Sequence, residues 1–87
     1  MEELTTNQAT VNITYNGQAG DLSFAVDRDS SNDDVKRWAT EALLAGDVPG
    51  ITVSGPVNLN DFVVERFAPT EQRGHLIMIR PKTEFGA

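Results

Sequence analysis

The spacing of the apolar residues changes once along the chain, from every second residue to every third or fourth. Residues 11–15 (VNITY) and 22–26 (LSFAV) alternate apolar side chains with small or polar ones, which is typical of half-buried strands. Residues 16–20 (NGQAG) lie between them and include an Asn-Gly pair that tolerates positive φ angles in a tight turn. This pattern predicts a β-hairpin whose buried face carries Leu22, Phe24 and Val26.

A single helical stripe follows the hairpin. Residues 29–34 (DSSNDD) are helix-capping and acidic types, which are favoured at the positive amino end of a helix. Apolar residues then recur at the spacing of one helix face, at Val35, Trp38, Ala39, Ala42 and Leu43. Gly46 ends the pattern as a typical C-terminal capping residue. We expect one helix near residues 32–45, with Trp38 packed against Phe24 and the last strand.

The second half of the chain returns to strand composition. Residues 51–53 alternate briefly, residues 62–67 (FVVERF) are β-branched and aromatic, and residues 75–80 (HLIMIR) form the most apolar run. Apolar side chains on both faces are typical of a central strand. The element order predicts an α+β fold in which a mixed sheet of four to five strands packs on one helix. Residues 10–81 would form this domain, between a flexible leader (1–9) and a flexible tail (82–87).

Composition limits the chemistry of the chain. Its 87 residues are enough for one domain, and a net charge of −6 disfavours nucleic acid and anionic membranes as partners. There is no cysteine and one histidine, His75, so we expect no enzyme activity, no metal site and no cofactor. No apolar run approaches the roughly 20 residues of a transmembrane helix, and the acidic amino end is unlike a signal peptide. These features predict a cytoplasmic protein.

The elements resemble those of ubiquitin-like proteins, which have the β-grasp fold. Residues 22–26, the polar passage and acidic pair after them, and Val35-Lys36 are similar to the second strand and helix start of ubiquitin without a gap. The run from Leu76 to Arg80 resembles the last strand of ubiquitin, which also ends on an arginine before a flexible, glycine-terminated tail. The resemblance covers residues 10–46 and 75–87 and implies a β-grasp fold.

The resemblance also implies a function for the end of the chain. Ubiquitin and the sulfur carriers of thiamin and molybdopterin synthesis end in two glycines, whereas this chain ends in Phe85-Gly86-Ala87. A ubiquitin-like modifier or carrier activated at Gly86, with Phe85 beside it, would first have to lose Ala87. Its partners would be an adenylating enzyme and, as in bacterial clusters of such genes, a conjugating enzyme and a metallopeptidase. Arg80 and Lys82 would be positive charges that an acidic cleft of the enzyme could bind.

A protein-docking patch on the last strand is a further hypothesis. If Ile77 and Ile79 face the helix, as the resemblance implies, Leu76 and Met78 project from the opposite face. Two exposed apolar residues on a small domain are typical of a surface that binds a protein. The alternative to a modifier is a non-conjugated β-grasp binding module or a subunit of a larger complex, whose tail has no role. We expect the free protein to be a monomer.

Overall fold

The computed structural model describes residues 7–82, which form one helix and five strands. The elements are β1 (Gln8–Tyr15), β2 (Gln18–Asp21), β3 (Val26–Asp27), α1 (Asn32–Leu44), β4 (Phe62–Phe67) and β5 (His75–Pro81). The order across the sheet is β2-β1-β5-β4, and β3 pairs with the start of β1. β5 is the central strand, parallel to β1 and antiparallel to β4. The fold is therefore α+β with the β-grasp arrangement, as the sequence predicts.

The turn between β1 and β2 is tighter than the sequence indicates. Asn16 (φ 54°) and Gly17 (φ 77°) both have positive φ angles, and Tyr15 pairs directly with Gln18. A two-residue turn of this kind matches the right-handed twist of the flanking strands. β2 consequently begins at Gln18, inside the segment predicted to be a loop.

The second strand of the hairpin is interrupted, which corrects the prediction of one continuous strand. Asn12 pairs with Asp21, whereas Ala9 pairs with Val26. Three steps along β1 (12 to 9) are thus matched by five steps along its partner (21 to 26), so two extra residues leave the ladder as a bulge. The bulge turns Phe24 outward, and its side chain is 45% exposed rather than buried.

Capping chemistry sets the ends of α1 where the sequence predicts them. Ser31 is the N-cap, and its hydroxyl accepts a hydrogen bond of 3.1 Å from the backbone N–H of Asp34. At the other end, Gly46 has a φ angle of 74°, and the N–H groups of Gly46 and Asp47 donate to carbonyls of the last turn. This Schellman motif satisfies carbonyls that would otherwise have no partner.

The core lies between the inner face of the sheet and α1. Its largest fully buried side chains are Ile13, Leu43, Ile77, Ile79, Val11 and Val35. Trp38 packs at the margin of this cluster and is half-buried, with the Arg37 guanidinium 5.8 Å from its ring centroid. Phe24, predicted to lie against Trp38, is outside the core cluster because of the bulge. The tryptophan therefore borders the core and does not fill its centre.

The connection between α1 and β4 covers the remaining side of the core. Its buried residues are Val48, Ile51 and Leu59, and Val53 and Val57 pack against the same cluster. Residues 51–53, predicted as a short strand, form no strand. Thr52 N–H donates to the side-chain Oε1 of Gln18 (2.7 Å) instead of to a strand backbone. The connection ends where the ring of Phe62 stacks on Tyr15, with centroids 6.0 Å apart.

The sheet begins earlier than the sequence indicates. β1 starts at Gln8, and Ala9 is fully buried, so both residues belong to the sheet although they were expected in the leader. Within residues 7–82, no helix has the length and apolar character needed to cross a membrane.

Candidate functional site

The outer face of the sheet carries the residues predicted to bind a partner. Ile77 and Ile79 are 2% and 0% exposed on the inner face, so the predicted register of β5 is confirmed. Leu76, Met78 and Arg80 alternate with them and lie on the outer face. Leu76 and Met78 are half-buried, because β1 and β4 flank the strand on both sides.

Three rows of side chains cross this outer face. The rows are Phe67, Leu76 and Thr10, then Glu65, Met78 and Asn12, then Val63 and Arg80. We call the four apolar members, Val63, Phe67, Leu76 and Met78, the outer-face patch. Phe67 is the most exposed of them, at 39%, and lies at the end of the sheet where β5 begins. The patch is therefore wider than the two residues that the sequence predicts.

An ion pair crosses the outer-face patch. Arg80 donates from Nε and Nη2 to the two carboxylate oxygens of Glu65, at 3.0 and 2.5 Å. These hydrogen bonds and the positive charge of Arg80 hold the pKa of Glu65 below its usual value, against a smaller opposing effect of burial. The same contact raises the pKa of Arg80. Arg80, expected to steer the chain toward an enzyme, thus has its charge compensated within the sheet.

The predicted activation residues lie beyond this face. The chain leaves the sheet at Pro81, opposite Phe62, and Lys82 is exposed just after it. Gly86 and Phe85 lie outside the described residues.

A cluster of polar side chains near the start of β5, centred on Arg66, was not predicted from the sequence. Arg66 lies on the inner side of β4 and donates to the carbonyl oxygens of Arg28 (2.8 Å) and Ser30 (2.7 Å) and to Oδ1 of Asn32 (2.7 Å). His75 Nε2 lies 3.2 Å from Arg28 Nη1. These contacts tie the segment at the start of α1 to β4 and β5, which is a structural role.

An open depression beside the start of α1 is lined by acidic and hydroxyl side chains, those of Asp27, Asp29, Ser30, Ser31 and Asp34. Two of these groups already serve the backbone, since Asp27 accepts from the N–H of Asp29 and Ser31 from that of Asp34. Across residues 7–82, no group of three or more His, Asp or Glu side chains is placed to hold a metal ion. The depression is explained by turn and helix capping.

Comparison of the chain with family models, with curated proteins and with solved structures finds no significant match. The fold and the chemistry of its outer face are therefore the basis for inferring a function.

Proposed function

We propose that the chain is a ubiquitin-like protein modifier or carrier, bound through its outer face and activated at Gly86 after removal of Ala87. The observation that supports this is the position of β5 in the middle of the sheet. One strand carries the outward Leu76 and Met78 and also leads the chain out of the sheet at Pro81. Recognition and activation would use the same strand.

A single enzyme could hold the patch and the tail together. Gly86 lies five positions after Pro81, which corresponds to at most about 18 Å of extended chain. Met78 lies three residues before Pro81, about 10 Å along the strand. An adenylating site within about 28 Å of the bound patch is therefore within reach of the glycine carboxylate.

The proposed chemistry begins at the carboxylate of Gly86. Its attack on the α-phosphate of ATP would form an acyl adenylate and release pyrophosphate. A thiolate of the enzyme would then displace AMP to form a thioester, and an amine would displace that thiolate. Glycine suits this position because it has no Cβ to crowd a narrow channel. Magnesium and nucleotide would belong to the activating enzyme.

The test uses an adenylating enzyme from the same cell, the partner that the proposal requires, with ATP and magnesium. Three chains are compared: the full sequence, the form ending at Gly86, and that form carrying Gly86→Val. We expect the adenylate or thioester, detected by mass spectrometry, only for the form ending in glycine. Failure of that form to react, while it still binds the enzyme, would contradict the modifier hypothesis.

A non-conjugated binding module is the second candidate, and the exposed Phe67 favours it. Phe67 and Leu76 lie at the end of the patch remote from Pro81. A partner seated there would need no contact with the tail. Deleting residues 83–87 separates the two functions, because a binding module keeps its affinity and a modifier loses its reactive carboxylate.

A further inference from the structure

We propose that the open edge of β4 pairs in antiparallel fashion with β4 of a second copy of this chain, about a two-fold axis at Glu65. The inference does not rest on the tail or on the proposed modification. It replaces the expectation of a monomer with a symmetric dimer whose two sheets are continuous.

The two edges of the sheet differ in how they are covered. Residues 48–52 pack on β2: a Cβ on Gly20 would overlap the carbonyl oxygen of Pro49 on the inner face, and one on Gly50 would lie 2.9 Å from the carbonyl oxygen of Ala19. β4 forms the opposite edge, and no other strand of residues 7–82 lies beside it there. An uncovered edge presents unpaired backbone groups that another strand can bind.

The alternation of ladder bonds identifies the free groups of β4. Phe62 donates its N–H to the carbonyl of Leu59 (3.0 Å), and Pro81 opposite it has no N–H, so this pair exchanges no ladder bonds. Bonded and non-bonded pairs alternate in an antiparallel ladder, so the residues bonded to β5 are Val63, Glu65 and Phe67. The N–H and C=O groups of Val64 and Arg66 therefore point toward the open edge.

A two-fold axis at Glu65 uses all of these free groups. Val64 of one chain lies opposite Arg66 of the other, and the two residues exchange both backbone hydrogen bonds; symmetry repeats the exchange. A register centred on Val64 instead would place Arg66 opposite Phe62, whose N–H is already donated within its own chain. The axis at Glu65 thus avoids the competition for the Phe62 N–H that a register centred on Val64 would create.

The side chains fit the same register. Val63 of one chain faces Phe67 of the other on the outer face, so the two outer-face patches become continuous. Glu65 faces its own counterpart, but each carboxylate keeps its two hydrogen bonds from Arg80. The like charges therefore meet as compensated ion pairs.

β4 also lacks most of the features that protect an edge strand from pairing. Its six residues, FVVERF, contain no proline and no lysine, and they pair with β5 without a bulge. An inward-pointing charge is one such protective feature, and Arg66 has that position. The guanidinium of Arg66 already donates hydrogen bonds to three oxygen atoms of its own chain, so dimer formation would not leave its charge without a partner.

The dimer is expected to be weak, because one strand pair buries less than the roughly 1,600 Å² of a standard stable interface. Sedimentation velocity of the full chain from about 1 µM to about 1 mM should show the 9.5 kDa monomer give way to a dimer. Amide hydrogen exchange, measured residue by residue, shows which backbone groups are protected by the dimer contact. The amides of Val64 and Arg66 should become protected as concentration rises, while the amide of Glu65, bonded to β5, is protected throughout.

A pair of matched double variants tests the register. Val63→Lys with Phe67→Lys places lysine opposite lysine and should raise the dimer dissociation constant by at least about tenfold. Val63→Lys with Phe67→Glu removes the same apolar surface but places lysine opposite glutamate, and should bring the constant back to within about threefold of the parent. Circular dichroism and thermal melting of both variants check that the fold is kept.

Three results would overturn the proposal. The first is a monomer at the highest concentration whose Val64 and Arg66 amides exchange freely. The second is protection of those amides already in the monomer, which would mean that the terminal residues of the same chain cover the edge. Protection only when another protein is added would likewise mean that the edge binds a different partner. The third is a dimer that both double variants weaken equally, which would place the contact elsewhere.

Discussion

Glu65 and Arg80 are joined by two hydrogen bonds that run diagonally between β4 and β5, since Val63 and not Glu65 lies directly opposite Arg80. Both side chains are more than a third exposed, at 36% and 39%, so water screens their attraction. The contact is therefore better understood as orienting two long side chains beside Met78 than as a large source of stability. It divides the outer-face patch into an end near Phe67 and an end near the exit of the chain.

The Glu65–Arg80 pair predicts a pH dependence of stability. Contact with Arg80 depresses the pKa of Glu65, and such a carboxyl stabilises the fold above its unfolded pKa and loses that contribution as pH falls through the folded pKa. Between about pH 5 and about pH 3, the melting temperature of the parent should fall more than that of Glu65→Gln. Parallel curves for the two proteins would show that the pair has no energetic role in the fold.

Two adjacent leucines of α1 should differ sharply in their effect on stability. Leu43 is 2% exposed and Leu44 is 57% exposed. Leu43→Ala leaves a cavity and should lower the free energy of unfolding by about 2–5 kcal/mol, whereas Leu44→Ala should change it by less than about 0.5 kcal/mol. Urea denaturation of both variants measures the difference. Similar losses for the two would mean that the helix is rotated from its described position.

Trp38 should contribute less than a central core residue because it is half-buried at the margin. We expect Trp38→Ala to lower the free energy of unfolding by about 1–3 kcal/mol, below the range for a fully buried tryptophan. Trp38→Phe, which keeps most of the packing, serves as the control and should lose less. A loss above about 4 kcal/mol for the alanine variant would place the ring in the middle of the core.

The outer-face patch predicts a separation of binding from folding. Leu76→Ser with Met78→Ser should leave the circular dichroism spectrum unchanged and, if the proposed function holds, weaken binding of an adenylating enzyme by about tenfold or more. Phe24→Ser is the matched control, since it removes an exposed aromatic side chain outside the patch. If the control weakens binding as much as the double variant, the patch is not the docking surface.

Local chemistry made parts of the fold predictable. The ends of α1 depend on Ser31 and Gly46, which are read directly from sequence because capping involves only neighbouring residues. Strand alternation places Ile77 and Met78 on opposite faces of β5, and the resemblance to ubiquitin-like proteins implied which of the two faces is buried. These features need no knowledge of long-range pairing.

The features that were not predicted from the sequence depend on pairing between residues far apart in the chain. Alternation alone places Phe24 inside, and only the two different registers of β1 with its partners reveal the bulge. The part that Phe67 plays in the patch depends on its pairing with Leu76, although its position in an alternating strand was visible. The contacts of Arg66 join residues more than 30 positions apart, and no local pattern indicates them.

The central position of β5 has a consequence for how the chain folds during synthesis. Ala9 pairs with His75, 66 residues later, so the central strand β5 is the last of the described strands to be synthesised. Until then β1 and β4 have no neighbour between them, and the apolar face of α1 has only part of a sheet to cover. Such non-local pairing is slow, because the chain between β1 and β5 loses conformational entropy before the contacts that compensate for this loss can form. A nascent chain that stops short of β5 should remain open to proteases, so only polypeptides synthesised through this strand would persist in folded form.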